Sequence, residues 1–306
     1  MRQRMGVALT DAGHCGTIRG MRKLLICLLL LVFGVMAAQG RVKVASLHPL
    51  LSEMAQAVGG EQVEVVNLFP KGADLHTFNP TAADLARARD AALVLACGMG
   101  VEPYLEDLKD SLPSTQVAEL GKSIPPVYLP GTQLADPHWW NAPQNMKRAS
   151  RALMQALSVL SPADVAVFRA GQKAYAAEMD ALDREARVAL GRIPQEARVL
   201  VAAHAAMGHF GRAYGFRQVP VHGIAQESEG DTATMAQLLR SLRELKVRCI
   251  FTEATGSPRA METLAGQVGA VTRPLVMDGI HPEMPTYREI FRFNIRNIVD
   301  GLGQSH

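Results

Sequence analysis

Short apolar runs alternate with amphipathic stretches along most of this chain, at Val42 to Ala45, Val63 to Leu68, Ala91 to Cys97 and Gln116 to Leu120. Such runs, rich in β-branched residues, predict strands, and the longer stretches between them predict helices. The alternation resumes at Val199 to Ala203, Gln218 to Val221, Cys249 to Thr252 and Val271 to Met277. Strands that alternate with helices join in parallel, because the crossover helix carries the chain back to the starting end of the sheet. The pattern predicts an α/β protein of two lobes, each with a mainly parallel sheet flanked by helices.

Between the two series, Pro162 opens a stretch running to about Leu190 that is rich in Ala, Glu, Arg, Met and Leu and has no internal proline. It predicts one helix of roughly 28 residues, about 40 Å long at the usual rise per residue. Ser161 supplies an N-cap, Pro162 a first-turn residue, and Gly191 with Pro194 the stop. The expected organisation is an upstream extension at 1–20, a signal peptide at 21–40, an N-terminal lobe at 41–161, the linking helix at 162–190 and a C-terminal lobe at 191–306. A chain of 306 residues with 48% hydrophobic content is long enough for two cores of ordinary size. A stiff helix between the lobes permits less hinge motion than extended strands.

The leader changes how the charge is read. Met21-Arg22-Lys23 precedes an apolar run from Leu24 to Met36, followed by the small residues Ala37 and Ala38. That is a secretory layout with cleavage after Gly40, or alternatively after Ala37, and a translation start at Met21. The run is shorter than the roughly 20 residues a spanning helix needs. Cys27 lacks the preceding small residue of a lipidation site. Residues 1–40 hold five basic groups and one acidic group, so the formal +3 falls to 27 basic against 28 acidic groups in the remainder. A near-neutral chain with no basic stripe offers nothing to nucleic acid. Cys97 and Cys249 lie in apolar runs and are expected as buried free thiols.

Four residues carry the chemistry: His76, His138, His204 and Asp278. In open parallel sheets ligands bind beyond the carboxyl ends of the strands, where His76, His204 and Asp278 fall. Two of the four belong to each half, so one divalent cation in the cleft would tie the lobes together. Three neutral imidazole nitrogens and one carboxylate suit Zn2+ best, with Mn2+ or Fe2+ as alternatives, since manganese is more often offered additional oxygen. Of the other histidines, His14 precedes the leader and His306 is terminal. His48 follows the first strand and caps or lines the cleft; His209 faces another side of its helix from His204; His222 ends a strand. His281 is the substitute ligand to watch. Glu253, ending the run Cys249 to Thr252, is placed to support a histidine or to add a carboxylate. Trp139 and Trp140 are expected in the core, and the structural alternative for Asp278 is a helix N-cap.

Two enzyme-like readings compete. A zinc hydrolase would use the three histidines as ligands and Glu253 or Asp278 as base, but no His-Glu-x-x-His helix is present. Dinucleotide binding at Gly98-Met99-Gly100 fails at Pro103, which stands where the third glycine belongs, leaving a tight strand-to-helix turn.

Gly72-Ala73-Asp74-Leu75-His76-Thr77-Phe78-Asn79-Pro80, Asp136-Pro137-His138-Trp139-Trp140, the segment from His204 to Phe216, Phe251-Thr252-Glu253 and Pro274 to Asp278 together resemble the solute-binding proteins of bacterial zinc and manganese ABC importers. The similarity covers nearly all of residues 41 to 303. It implies two α/β lobes joined by a rigid helix, a periplasmic or cell-surface location, and a non-enzymatic, monomeric carrier that delivers metal to a membrane permease. It also implies ligand roles for His76 and His138. At position 204 the family carries histidine or, in many manganese members, glutamate, so His204 favours zinc. The chain departs from the family in lacking a long His- and acid-rich loop between Pro130 and Asp136, and in Gly279-Ile280-His281-Pro282.

Overall fold

The computed structural model describes residues 40–70, 73–221, 232–254 and 258–303. The extension and leader up to Gln39, Gly72 of the first histidine segment, and His14, His222 and His306 lie outside them. Eight strands among the described residues form two four-stranded sheets in which every pairing is parallel. The first holds β1 (Val42–Ser46), β2 (Val63–Asn67), β3 (Leu93–Ala96) and β4 (Gln116–Glu119) in the order β2-β1-β3-β4. The second holds β5 (Val199–Ala202), β6 (Arg217–Pro220), β7 (Cys249–Glu253) and β8 (Val271–Leu275) in the order β6-β5-β7-β8. The two-lobed α/β expectation holds, with strand ends displaced by no more than two residues. β3 and β7 are buried throughout, as parallel strands covered on both faces must be.

The helices are α1 (Pro49–Gly59), α2 (Ala82–Ala88), α3 (Leu105–Ser111), α4 (Pro143–Leu160), α5 (Val165–Leu190), α6 (Gly208–Tyr214), α7 (Thr232–Glu244), α8 (Arg259–Val268) and α9 (Tyr287–Leu302). The long helix expected from Pro162 starts its α-turns three residues later, after a 3-10 turn at Pro162–Asp164. The reason is local: the Ser161 hydroxyl donates to Asp164 Oδ2 at 2.6 Å instead of accepting a backbone N–H. The 26 residues of α5 then run about 39 Å, and the helix packs against α1, α4 and α9. Gly171 permits the approach to α1, since a Cβ there would strike the Val58 carbonyl.

One apolar cluster runs from the first sheet through the inner face of α5 to the second sheet, including Met54, Leu93, Trp139, Phe168, Met179 and Phe251. A smaller one, around Val201, Leu242, Ile250 and Leu264, fills the far face of the second sheet. Cys97 and Cys249 are buried free thiols. The Gly98-Met99-Gly100 turn has all three residues at positive φ. The amide that opens it is already taken, because the Glu102 carboxyl group accepts from Cys97 N at 2.6 Å and Gly98 N at 2.9 Å; a phosphate would have to displace that buried side chain. No helix of the described residues is long and apolar enough to cross a membrane.

Candidate metal centre

In both sheets successive strands are added to opposite sides of the middle, between β1 and β3 and between β5 and β7, and crevices at the carboxyl ends of strands open there. His48 stands two residues beyond β1 and His204 two beyond β5, so the two lobes present histidines at matching positions. They do different work. His48 Nδ1 accepts from Leu50 N at 3.1 Å, capping α1, and its Nε2–H donates to the Asp278 carbonyl at 3.0 Å. Burial pushes its pKa down to about 4, which keeps the ring neutral, and the two hydrogen bonds fix this tautomer.

His204 turns the other way, with Nε2 at 3.2 Å from Asp278 Oδ1. His76 and His138 face the same oxygen, each with Nε2 at 3.6 Å, and lie 3.3 Å from one another, Nε2 to Nε2. Their ring centroids form a near-equilateral triangle with sides of 5.2, 5.2 and 5.7 Å. The four donor atoms lie within 4.8 Å of one another. A tetrahedral ion with bonds of about 2.0–2.1 Å holds its ligands about 3.3–3.4 Å apart, and the four separations above bracket that edge. The four sequence-selected residues thus come together, while His281 and Glu253 are outside the group. His281 Nδ1 instead accepts from Glu283 N at 3.2 Å.

The side chains arrive by three routes. His76 sits on the loop after β2, where Asp74 Oδ1 accepts from His76 N at 2.7 Å and Thr77 N at 3.1 Å, an Asx turn. Phe78 anchors that loop against Phe69 and Tyr104. His138 comes from a strap, residues 125–142, that lies across α6. Arg212 donates to the carbonyls of Pro125 and Pro126 at 2.9 Å, and His209 Nε2 donates to the Asp136 carbonyl at 3.0 Å. Asp136 Oδ2 accepts from Gly208 N at 3.0 Å, while its Oδ1 accepts from His138 N at 3.0 Å and from His138 Nδ1–H at 2.8 Å. That leaves the His138 Nε2 lone pair aimed at the other donors, the tautomer a cation requires.

Asp278 does not cap a helix, since α9 begins at Tyr287 with Thr286 as N-cap. Its backbone is clamped instead. Asn294 binds both polar groups of Val276 at 2.8 Å, and Glu253 Oε1 accepts from Met277 N at 3.2 Å. The Met277 carbonyl accepts from Trp140 Nε1 at 3.0 Å and Asn141 Nδ2 at 2.8 Å. These bonds draw Val276 and Met277 out of the ladder, which is why β8 ends at Leu275 and short of the expected Met277. They also give Trp140 a positioning task beyond core packing. Gly279 follows at φ 70°, and a Cβ there would collide with Leu50 and Trp140.

Charge is distributed unevenly. Burial would raise the Asp278 pKa, but hydrogen bonds from His204 and His76 and the surrounding rings hold it well below the usual carboxylate range. Burial would likewise depress His76, yet its bond to Asp278, the Asp278 charge and Asp74 leave it raised. His138 is lowered by burial despite Asp136. In the metal-free protein His76 therefore holds a proton more readily than His138 does.

Asp136 was not singled out from the sequence, although a carboxylate two residues before a ligand histidine is a usable signal. Replacing it with alanine is expected to weaken metal binding about 10- to 100-fold through loss of the His138 tautomer and orientation. Competition against a chromophoric chelator measures this, and an affinity equal to that of the unaltered protein would contradict it.

The family model described as zinc-uptake complex component A, periplasmic, matches residues 44–301. The chain is similar to the iron-binding protein YfeA of Yersinia pestis, at 28% identity over 271 residues that span 86% of this chain and 87% of that protein. It is also similar to the manganese-binding lipoprotein MntA of Bacillus subtilis, at 26% identity over 279 residues, 87% of this chain and 91% of that protein. Among solved structures it matches the periplasmic zinc binding protein TroA from Treponema pallidum with a TM-score of 0.79 and 27% identity, over 87% of this chain and all of that one.

Proposed function

Because the chain belongs to the periplasmic zinc-uptake component family, metal-binding substrate-binding proteins of ABC importers and not enzymes, we propose that it captures Zn2+ at His76, His138, His204 and Asp278 and passes it to a permease. The observation that carries this reading is the donor set itself: three imidazole nitrogens and one carboxylate oxygen spaced like the corners of a small tetrahedron. Thus held, the ion has no open coordination position for a water, the reverse of a catalytic zinc. That argues against the hydrolase alternative on chemical grounds.

The iron and manganese named for YfeA and MntA favour a second reading, in which Mn2+ or Fe2+ is the cargo. Oxygen-poor donors speak for zinc. Protein isolated from its own compartment without added metal is expected to carry about one zinc per chain, read by elemental analysis, and to keep it against equimolar manganese. Manganese or iron as the resident ion would sink the zinc assignment and leave the carrier reading standing.

The working form is a monomer in the periplasm, comprising the lobes 41–161 and 191–306 with the linking helix 162–190, exported by the leader 21–40.

A further inference from the structure

Among the described residues, four buried side-chain atoms lack a hydrogen-bond partner: His204 Nδ1, Glu253 Oε2, Gln218 Nε2 and the Tyr175 hydroxyl. Two of these stand at the ends of neighbouring strands. β5 and β7 pair with Val201 opposite Ile250 and Ala202 opposite Phe251; His204 follows the end of β5 by two residues, and Glu253 is the last residue of β7. His204 is fully buried, and Glu253 is 8% exposed.

The two atoms are chemically complementary. When His204 Nε2 gives its lone pair to a cation, the one ring proton of the neutral imidazole is on Nδ1. A buried N–H without an acceptor is unfavourable by about 1–3 kcal/mol. Glu253 Oε2 is an acceptor without a donor. Gln218 Nε2 is itself a donor and cannot serve, and Tyr175 belongs to α5. The other Glu253 oxygen already accepts from Met277 N, the amide just before Asp278. Glu253 itself is not among the converging donors.

We propose that Glu253 is the positioning residue for His204, accepting its Nδ1–H directly or across one water whenever Nε2 holds a cation. Through Met277 N the same carboxylate steadies Asp278, so a single side chain aligns both donors of the second lobe. Asp136 does the corresponding work for His138. The inference rests on the proposed metal site and deepens it.

The test uses the mature chain with 15N-labelled histidine, loaded with zinc, as the unaltered protein, Glu253→Ala and Glu253→Gln. In the unaltered protein the Nδ1–H signals of His138 and His204 should both be protected from exchange. Glu253→Ala should lose the His204 signal, keep that of His138 and bind zinc about 10- to 100-fold more weakly. Glu253→Gln keeps one acceptor oxygen and sets an NH2 in place of the other, so it can serve His204 Nδ1–H or Met277 N but not both and should regain only part of that loss. Zinc affinity within twofold in both variants, with the His204 signal unchanged, would overturn the inference. So would a cobalt spectrum that drops from five- to four-coordinate on Glu253→Ala, since Glu253 would then be a ligand. Failure of zinc to shift any histidine signal of the unaltered protein is a separate result: it removes the metal site, and this role with it.

Discussion

Replacing His138 with alanine is expected to weaken zinc binding by about 100- to 1000-fold. Four-ligand structural zinc sites are worth about 10–16 kcal/mol, so one ligand in four carries about 2.5–4 kcal/mol. Neither neighbouring histidine among the described residues stands ready to replace it. Both nitrogens of His48 are engaged, by Leu50 N and the Asp278 carbonyl, and both nitrogens of His209 are engaged by Asn145 and the Asp136 carbonyl. The alanine would also take from buried Asp136 Oδ1 its ring donor, leaving only the backbone N–H of residue 138, which adds a stability loss of about 1–3 kcal/mol independent of metal. Chelator competition separates the two effects when paired with thermal unfolding of the metal-free form. An affinity that survives the substitution would mean that the cation sits elsewhere.

Acid is expected to empty the site. His76, held above its ordinary pKa by Asp278 against the effect of burial, takes up a proton in the metal-free protein as pH falls through its raised value. Below that point each ion bound must displace a proton, so affinity falls about tenfold per pH unit and about 10- to 100-fold between pH 7.5 and 5.5. The metal-free fold responds through groups of opposite sign. His48 is kept neutral down to about pH 4 by burial, while the unfolded chain protonates it near 6.5. Stability is therefore lost as pH falls through that window, on the order of 3 kcal/mol by its lower end. Asp278, held low in the fold, contributes stability above about pH 4 that is lost on further acidification. His76 works the other way, adding stability below about pH 6.5 that fades as pH rises through its raised value. The His48 and Asp278 losses dominate in acid. Calorimetry from pH 8 to 5, with zinc and with chelator, should show the zinc-dependent rise in Tm shrinking steadily; a rise independent of pH would contradict the histidine ligand set.

The alternation of apolar runs was sufficient to locate the eight described strands: β3 and β7 are buried throughout, as central parallel strands are, while β2, β4, β6 and β8 at the sheet edges keep exposed polar positions yet retain enough apolar ones to be read. The long helix was equally legible from composition and punctuation. Its first turn was not, since whether Ser161 caps a backbone amide or bonds Asp164 is a contest between two local partners of similar strength. The four donors were legible as residue types at suitable positions. What the sequence withheld was the support around them: that the strap 125–142 lies on α6, that Asp136 faces His138 and Gly208 at once, and that His48 joins α1 to the Asp278 backbone. These are long-range pairings between residues up to 230 positions apart, and periodicity carries no information about them.

Helix α5 is braced on every side it presents to the protein. Asp180 pairs with Lys147 of α4, Asp183 accepts from Tyr214 of α6, and Glu178 and Glu185 pair with Arg288 and Arg292 of α9. A beam fastened at so many points resists the jaw-like swing by which many two-lobed receptors announce that they are full. On the proposed carrier role, the outline of the molecule is then expected to change little when metal binds. A docking partner is then expected to tell the two states apart by local contacts and not by outline.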